Sequence, residues 1–170
     1  MKEKSDLSSS QRLLTDFEYV DFEVERENWN KYRLKDGAIL KTKFVLINVL
    51  AEKGFKEKIK RAKTEMGIGV GFTFQSSNVI GVEAPPNLIG NPTNVHYSPQ
   101  ELEKSVVEDE IDFETISESW NSYKLNVNGE IYMKVRNSPI RIRRTDKFDS
   151  RGVPIYLVDF TADVKIFPKK

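Results

Sequence analysis

One stretch of this sequence occurs twice. Asp21-Phe22-Glu23 leads through Glu27 to Trp29-Asn30-Lys31-Tyr32-Arg33-Leu34. Ninety-one positions later Asp112-Phe113-Glu114 leads through Glu118 to Trp120-Asn121-Ser122-Tyr123-Lys124-Leu125. Asp, Phe, Glu, Glu, Trp, Asn, Tyr and Leu all coincide at that offset, with Val20/Ile111 and Arg33/Lys124 as conservative pairs. Self-similarity at a fixed period divides a fold into units. It predicts a tandem duplication of one small antiparallel β unit. Units of this size seldom bury enough apolar surface alone. The copies are therefore expected to pack as a pseudo-twofold pair, as two small barrels or one fused sandwich, with one short helix per repeat region.

The local patterns agree with a mainly β chain with minor α. Val20, Phe22 and Val24 alternate with Asp21, Glu23 and Glu25, the period-two signature of a half-buried strand. Asp36-Gly37 and Asn128-Gly129 each separate extended runs and predict type I′ hairpins. The returning run from Ile39 to Leu50 becomes apolar on both faces at Phe44-Val45-Leu46-Ile47, as in a strand passing from an edge to the interior. Phe72 and Phe74 start a further strand, with Val79 to Val82 as its continuation or a fourth. In the second copy Ile131, Met133 and Val135 form a return strand that Asn137-Ser138-Pro139 is expected to break. Ile140 to Arg143 resumes the alternation, and a long final strand carries Tyr156 to Ile166.

The divisions read as a flexible N-terminal arm (1–14), a first β repeat (15–84) with a helical insertion over about 51–66, a Pro/Asn-rich connector with a short helix (85–107), and a second β repeat (108–170). Ser98-Pro99-Gln100-Glu101 combines an N-cap serine, a first-turn proline and a glutamate at N3, a capping box that starts the connector helix.

Composition narrows the chemistry. Twenty-seven basic and 26 acidic residues give a net charge of +1, without the global field of a general nucleic-acid binder, although a local patch stays open. The absence of cysteine excludes disulfides, thiolate metal sites and a Cys nucleophile, and the single histidine, His96, excludes a multi-His metal centre within one chain. No apolar run reaches the roughly 18–20 residues of a membrane span, and the polar N-terminus lacks a secretory h-region. The expectation is a cytoplasmic protein with no cofactor, no metal and no membrane contact.

The repeated motif is read first as architecture. Phe22, Trp29, Tyr32 and Leu34, with Phe113, Trp120, Tyr123 and Leu125, are the structural anchors; Trp29 and Trp120 are expected in equivalent cores, and Asn30 and Asn121 to bond their own turns. The alternative is a pair of aromatic faces for stacking bases or sugars. Gly67-x-Gly69-x-Gly71 follows a helical pattern and precedes a strand, the reverse of a phosphate-binding loop, and reads as a hinge or a close strand approach.

Candidate binding residues fall in two basic groups: Lys56, Lys60 and Arg61 on the helical insertion, and Arg141, Arg143, Arg144, Lys147 and Arg151 after Arg136. They are read as solvated faces paired with the acidic strands, with a nucleic-acid groove as the alternative. Glu108, Glu110, Asp112 and Glu114 occupy alternate positions and would share one strand face, suited to a divalent cation, to acid–base work or to edge protection. His96 reads as an exposed turn residue.

The leading function is a non-catalytic binding or assembly module that docks another macromolecule, a protein partner or a second copy, through loops and the basic helix. The alternatives are a single-stranded nucleic-acid binder using the Arg136–Arg151 region and, last, a carboxylate-dependent hydrolase or a sugar- or nucleotide-binding enzyme.

Overall fold

In the computed structural model the described residues are 16–55, 71–127 and 131–168. The N-terminal arm, most of the helical insertion with Lys56, Lys60 and Arg61, the glycines Gly67 and Gly69, and the Asn128-Gly129 turn lie outside them.

Alternating side chains build ten strands: β1 (Phe17–Val20), β2 (Phe22–Arg26), β3 (Asn30–Leu34), β4 (Ile39–Glu52), β5 (Phe72–Glu83), β6 (Val106–Glu108), β7 (Phe113–Ser117), β8 (Asn121–Leu125), β9 (Ile131–Phe148) and β10 (Pro154–Pro168). They form two five-stranded antiparallel sheets, neither closed on itself by pairing. In the first, β5 runs along one edge of β4, while β3 and β1 share the other edge and β7 lies beyond β3. In the second, β10 runs along one edge of β9, while β8 and β6 share the other and β2 lies beyond β8. One short helix, α1 (Pro99–Glu103), carries the capping box, with Ser98 Oγ accepting from the Glu101 N–H at 3.2 Å and Glu101 Oε2 from the Ser98 N–H at 3.2 Å. Among the described residues no helix is long and apolar enough to cross a membrane.

The strand expected to run unbroken through Val20 to Glu25 is cut at Asp21, and the cut moves the chain from one sheet to the other. β1 belongs to the first sheet, and β2 pairs with β8 in the second. β6 belongs to the second sheet, and β7 pairs with β3 in the first. At each crossing an aspartate carbonyl accepts a backbone N–H from the destination hairpin: Asp21 O from Asn126 at 2.8 Å, and Asp112 O from Lys35 at 2.8 Å.

The two seams match residue for residue at the 91-position offset. Phe22, Glu23 and Val24 lie opposite Leu125, Lys124 and Tyr123; Phe113, Glu114 and Thr115 lie opposite Leu34, Arg33 and Tyr32. Each seam carries a register shift at its outer end. Phe22 meets Tyr123 edge-on with centroids 6.0 Å apart, and Phe113 meets Tyr32 in the same way at 5.7 Å. Such pairs add about 0.5–1.5 kcal/mol to simple area burial.

The crossings decide where the core sits. One hydrophobic cluster joins Val20 and Phe22 to Tyr123, Leu125, Ile131 and the Phe44–Val49 stretch of β4; the other joins Ile111 and Phe113 to Tyr32, Leu34, Leu40, Ile142 and Tyr156. Each cluster takes side chains from both sheets and both halves of the chain. Fully burying one such aliphatic or aromatic side chain contributes about 1.5–3 kcal/mol, so neither half holds a complete core.

Polar groups close the gaps that the short edge strands leave. Between the segments paired with β3 and β1, the backbone of β4 has no strand partner on that edge among the described residues. There Glu27 Oε1 accepts the Leu46 N–H at 3.0 Å and the Tyr123 hydroxyl at 2.8 Å. In the corresponding gap of β9, Glu118 accepts the Ser138 hydroxyl at 2.9 Å and the Tyr32 hydroxyl at 2.6 Å. The buried Asn30 Oδ1 accepts the Ser119 N–H at 3.1 Å, and Asn121 Oδ1 the Asn28 N–H at 3.3 Å. These asparagines bond across the seam and not to their own turns. A buried amide or hydroxyl left unpaired costs about 1–3 kcal/mol, so the network holds the crossings in place as firmly as the apolar contacts do.

Three local expectations are corrected. The first hairpin is a three-residue loop, closed by Leu34 N–H to Ala38 O at 2.9 Å and Gly37 N–H to Leu34 O at 3.0 Å, with Gly37 at φ 96°. Glycine takes the left-handed position of this longer loop, where the Asp-Gly pair suggested a two-residue type I′ turn. β9 runs unbroken through Asn137-Ser138-Pro139. Pro139 is tolerated because it lies in the stretch of β9 that neither β8 nor β6 pairs. β4 continues to Glu52, two residues into the segment expected to be helical.

Burial, followed by the carboxylate facing each hydroxyl, pushes Tyr32 and Tyr123 well above their ordinary value of 10.0. In the unfolded chain these hydroxyls ionise first, so their contribution to stability is complete below pH 10 and is lost as the pH rises beyond it. The loss is about 1.4 kcal/mol per pH unit for each tyrosine. Tyr32→Phe and Tyr123→Phe are each expected to cost about 1–2 kcal/mol at neutral pH. The double variant should also lose stability less steeply than the parent above pH 10 in urea unfolding. Equal alkaline slopes would contradict the buried Tyr–Glu pairs.

Candidate functional site

The repeated motif divides between inside and outside. Asn30, Tyr32, Leu34, Asn121, Tyr123 and Leu125 are buried, and Phe22 and Phe113 pack half-buried against the two clusters. The tryptophans do not enter the core, which corrects the expectation for both. Trp29 is 42% exposed, and Trp120 is half-buried. Each tryptophan lies just before its strand, next to an asparagine that faces inward to bond across the seam, and stays at the surface.

Cations surround both rings. Lys41 and Lys43 Nζ lie 5.6 and 6.0 Å from the Trp29 centroid. The Arg136 guanidinium lies 5.1 Å and Lys165 Nζ 4.8 Å from the Trp120 centroid. Contacts of this kind contribute about 0.5–1 kcal/mol at exposed sites. Beside Trp120, Tyr132 stacks on Phe167 at 6.0 Å with an interplanar angle of 20°, and Lys134 lies 5.8 Å from the Phe167 centroid. The cross-strand register sets Lys134 opposite Lys165 and Tyr132 opposite Phe167. The outer face of the second sheet is therefore an aromatic and cationic array, while that of the first sets Trp29 among Lys31, Lys41 and Lys43, with the exposed Tyr19 apart on β1.

The candidate arginines are engaged elsewhere. Arg143 is buried and forms a two-pronged pair with Glu103 of α1, at 2.5 and 2.9 Å. Those hydrogen bonds hold the Glu103 carboxyl below its usual range and raise the affinity of Arg143 for its proton. Arg144 pairs at 2.8 Å with Asp36, which also accepts the Tyr156 hydroxyl at 2.7 Å, tying the first hairpin to β9 and β10. Burial, then Asp36, pushes Tyr156 above its ordinary value. Arg141 pairs with Asp109 at 2.6 Å, Lys147 with Asp146 at 3.7 Å and Arg151 with Asp149 at 3.4 Å. The Arg143 and Arg141 pairs fasten α1 and the crossing loop to the second sheet, while the Lys147 and Arg151 pairs are local to β9 and its loop. Lys56, Lys60 and Arg61 lie outside the described residues.

The acidic candidates do not share a strand face. Glu108 ends β6, Glu110 and Asp112 lie in the crossing, and Glu114 is in β7. Glu108 faces Arg144 at 3.7 Å and Asp112 faces Lys35 at 4.0 Å. Among the described residues no group of three or more His, Asp or Glu side chains is placed to hold a metal ion.

His96 lines a cleft of about 440 Å³ with Tyr97, Leu102, Asp149 and Ser150. Burial opposes charge on Asp149, but the N–H groups of Arg151 and Val153, at 2.8 and 3.0 Å, hold its carboxyl below the usual range. Asp149 thus shapes its own loop, and among the described residues no hydrogen bond links it to His96. The wall of this cleft is clamped where Gly90 N–H meets Gly152 O at 2.9 Å and Thr93 N–H meets Asp149 O at 3.0 Å.

No family model, curated protein or solved structure gives a significant match to the chain.

Sequence reasoning missed Lys41, Lys43, Lys134, Lys165 and Phe167 as neighbours of the tryptophans. The three-residue loop sets Asn30 opposite Thr42 and so places Lys41 and Lys43 on the Trp29 side of the sheet, whereas the two-residue turn expected at Asp36-Gly37 would set Asn30 opposite Lys43 and hide the signal.

The clamp yields a prediction. A Cβ at Gly90 would lie 2.4 Å from two ring carbons of Phe148. Gly90→Ala is expected to destabilise the fold by about 1–3 kcal/mol, measured as a lower urea midpoint. An unchanged midpoint would show that the connector is not held against Phe148.

Proposed function

We propose that the chain is a non-catalytic binding module, a fused duplication of one β unit forming a sandwich, which docks another macromolecule through the outer faces around Trp29 and Trp120. The observation that carries this reading is the placement of the two tryptophans. Each recurs at the same place in the motif, yet neither fills the core that the rest of the motif builds. An amphipathic indole ringed by mobile cations is suited to a partner with apolar or aromatic groups and negative charge.

The duplication is supported by the coincidence of strand register, Tyr–Glu pairs and crossing hydrogen bonds at one offset. The open sheets favour the sandwich over a pair of barrels. The candidate arginines favour outer faces over the β9–β10 region, because their charges are already matched by Glu103, Asp36, Asp109 and Asp149.

The test is affinity capture from the native host with the parent chain and with a Trp29→Ala/Trp120→Ala variant that keeps a cooperative thermal transition. The parent is expected to retain a macromolecular partner that the variant loses. Capture of the same partner by both, or of none by the parent, would overturn the reading.

A further inference from the structure

The outer face of the second sheet has more than the first, and the difference names a class of ligand. From the structure we infer that this face binds single-stranded nucleic acid, with bases stacked on Trp120 and on the Tyr132–Phe167 pair and with the backbone held by Lys134, Lys165 and Arg136. The inference rests on the binding-module reading and specifies its partner.

Three features support it together. First, the rings are accessible: Trp120, Tyr132 and Phe167 are all only half-buried, on the face turned away from the two hydrophobic clusters. Every base has a π-face, so an aromatic platform on a sheet accepts single strands with little sequence preference. Second, the cations are interleaved with the rings. Tyr132, Lys134 and Arg136 take successive outward positions on β9, about 7 Å apart, and Lys165 and Phe167 stand opposite Lys134 and Tyr132 on β10. An extended chain crossing these rows meets ring and charge in turn. Third, the cations outnumber the acids on the face. Lys124, Lys134, Arg136 and Lys165 stand against Asp163 and Glu118, which pair with Arg136 at 3.1 and 3.7 Å, and Glu23, which lies opposite Lys124 in the register. Lys134 and Lys165 are exposed and lie against the rings of Phe167 and Trp120. A phosphate is a stronger partner for an ammonium than a ring is. Binding can move each lysine from its ring to the backbone and leave the ring for a base.

The face around Trp29 lacks this arrangement. Lys41 holds the register position of Lys134 but pairs with Glu83 at 3.6 Å, and Ile39 opposite Glu83 stands where the second sheet has Tyr132 opposite Phe167. A net charge of +1 is consistent with a local platform, and it limits affinity to what that platform supplies.

The test uses the full chain with a fluorescein-labelled oligothymidylate of ~12 nucleotides and a duplex of the same length. Anisotropy reports affinity, and emission of the Trp29→Phe variant reports Trp120 alone, since the chain has two tryptophans. The single strand is expected to bind in preference to the duplex and to quench Trp120. Lys134→Ala and Lys165→Ala should each reduce the slope of log affinity against log salt by about 0.7. Tyr132→Ala or Phe167→Ala should weaken binding about tenfold in variants that keep the parent's thermal midpoint. No binding at low salt, equal binding of duplex and single strand, or a salt slope unchanged by both lysine substitutions would overturn the inference. If oligothymidylate fails while tryptophan-dependent capture of another macromolecule persists, only the ligand class falls. If both fail, the binding-module reading falls too.

Discussion

The fold depends on the reciprocal exchange of two short strands. β2 leaves the first sheet to pair with β8, and β7 leaves the second to pair with β3. Short antiparallel pairs are weak by themselves. Here each is fixed on one side by an edge-on Phe–Tyr contact and on the other by a tyrosine hydroxyl bound to a carboxylate. The same carboxylates bond groups in the unpaired stretches of the two central strands, so one residue closes both the seam and the gap beside it. Removing a crossing would open an apolar cluster and leave buried polar groups without partners.

That division of labour determines what remains for binding. Inward-facing Asn, Tyr and Leu are committed to the seam, and Arg141, Arg143 and Arg144 of β9 are committed to the crossing loop, α1 and the first hairpin. Ion pairs of this kind add modestly to stability, but they remove charge from the surface a ligand would meet. Beside the tryptophans, Lys43, Lys134 and Lys165 contact aromatic rings, while Arg136 and Lys41 also pair with Asp163 and Glu83. The two faces differ at neighbouring positions: Lys41 and Lys43 hold the register positions of Lys134 and Arg136, but Ile39 stands in place of Tyr132, and Gly81 and Glu83 in place of Lys165 and Phe167.

Much of this was legible in the sequence, for identifiable reasons. Period-two alternation located most strands, and the capping box located α1 from four residues. The repeat pointed to an interface between copies. It did not indicate that the first strand of each copy would cross into the other sheet, because alternation runs through Val20, Phe22 and Val24 without registering the break at Asp21. Pro139 misled for a related reason. A proline stops a strand only where its missing N–H is needed, and the unpaired edge of β9 is a tertiary fact. The tryptophans were assigned to the core on residue type, although their position next to an inward asparagine places them outside.

The central claim is that neither half of the chain has a core of its own. Severing the chain in the connector, between Gly90 and Ser98, and purifying the two halves separately tests it most directly. The account predicts that each half alone is either unfolded or folded only as a dimer, with a melting temperature that rises with protein concentration, and that mixing them restores one cooperative transition. A half that folds as a monomer, with a cooperative transition independent of concentration, would contradict it.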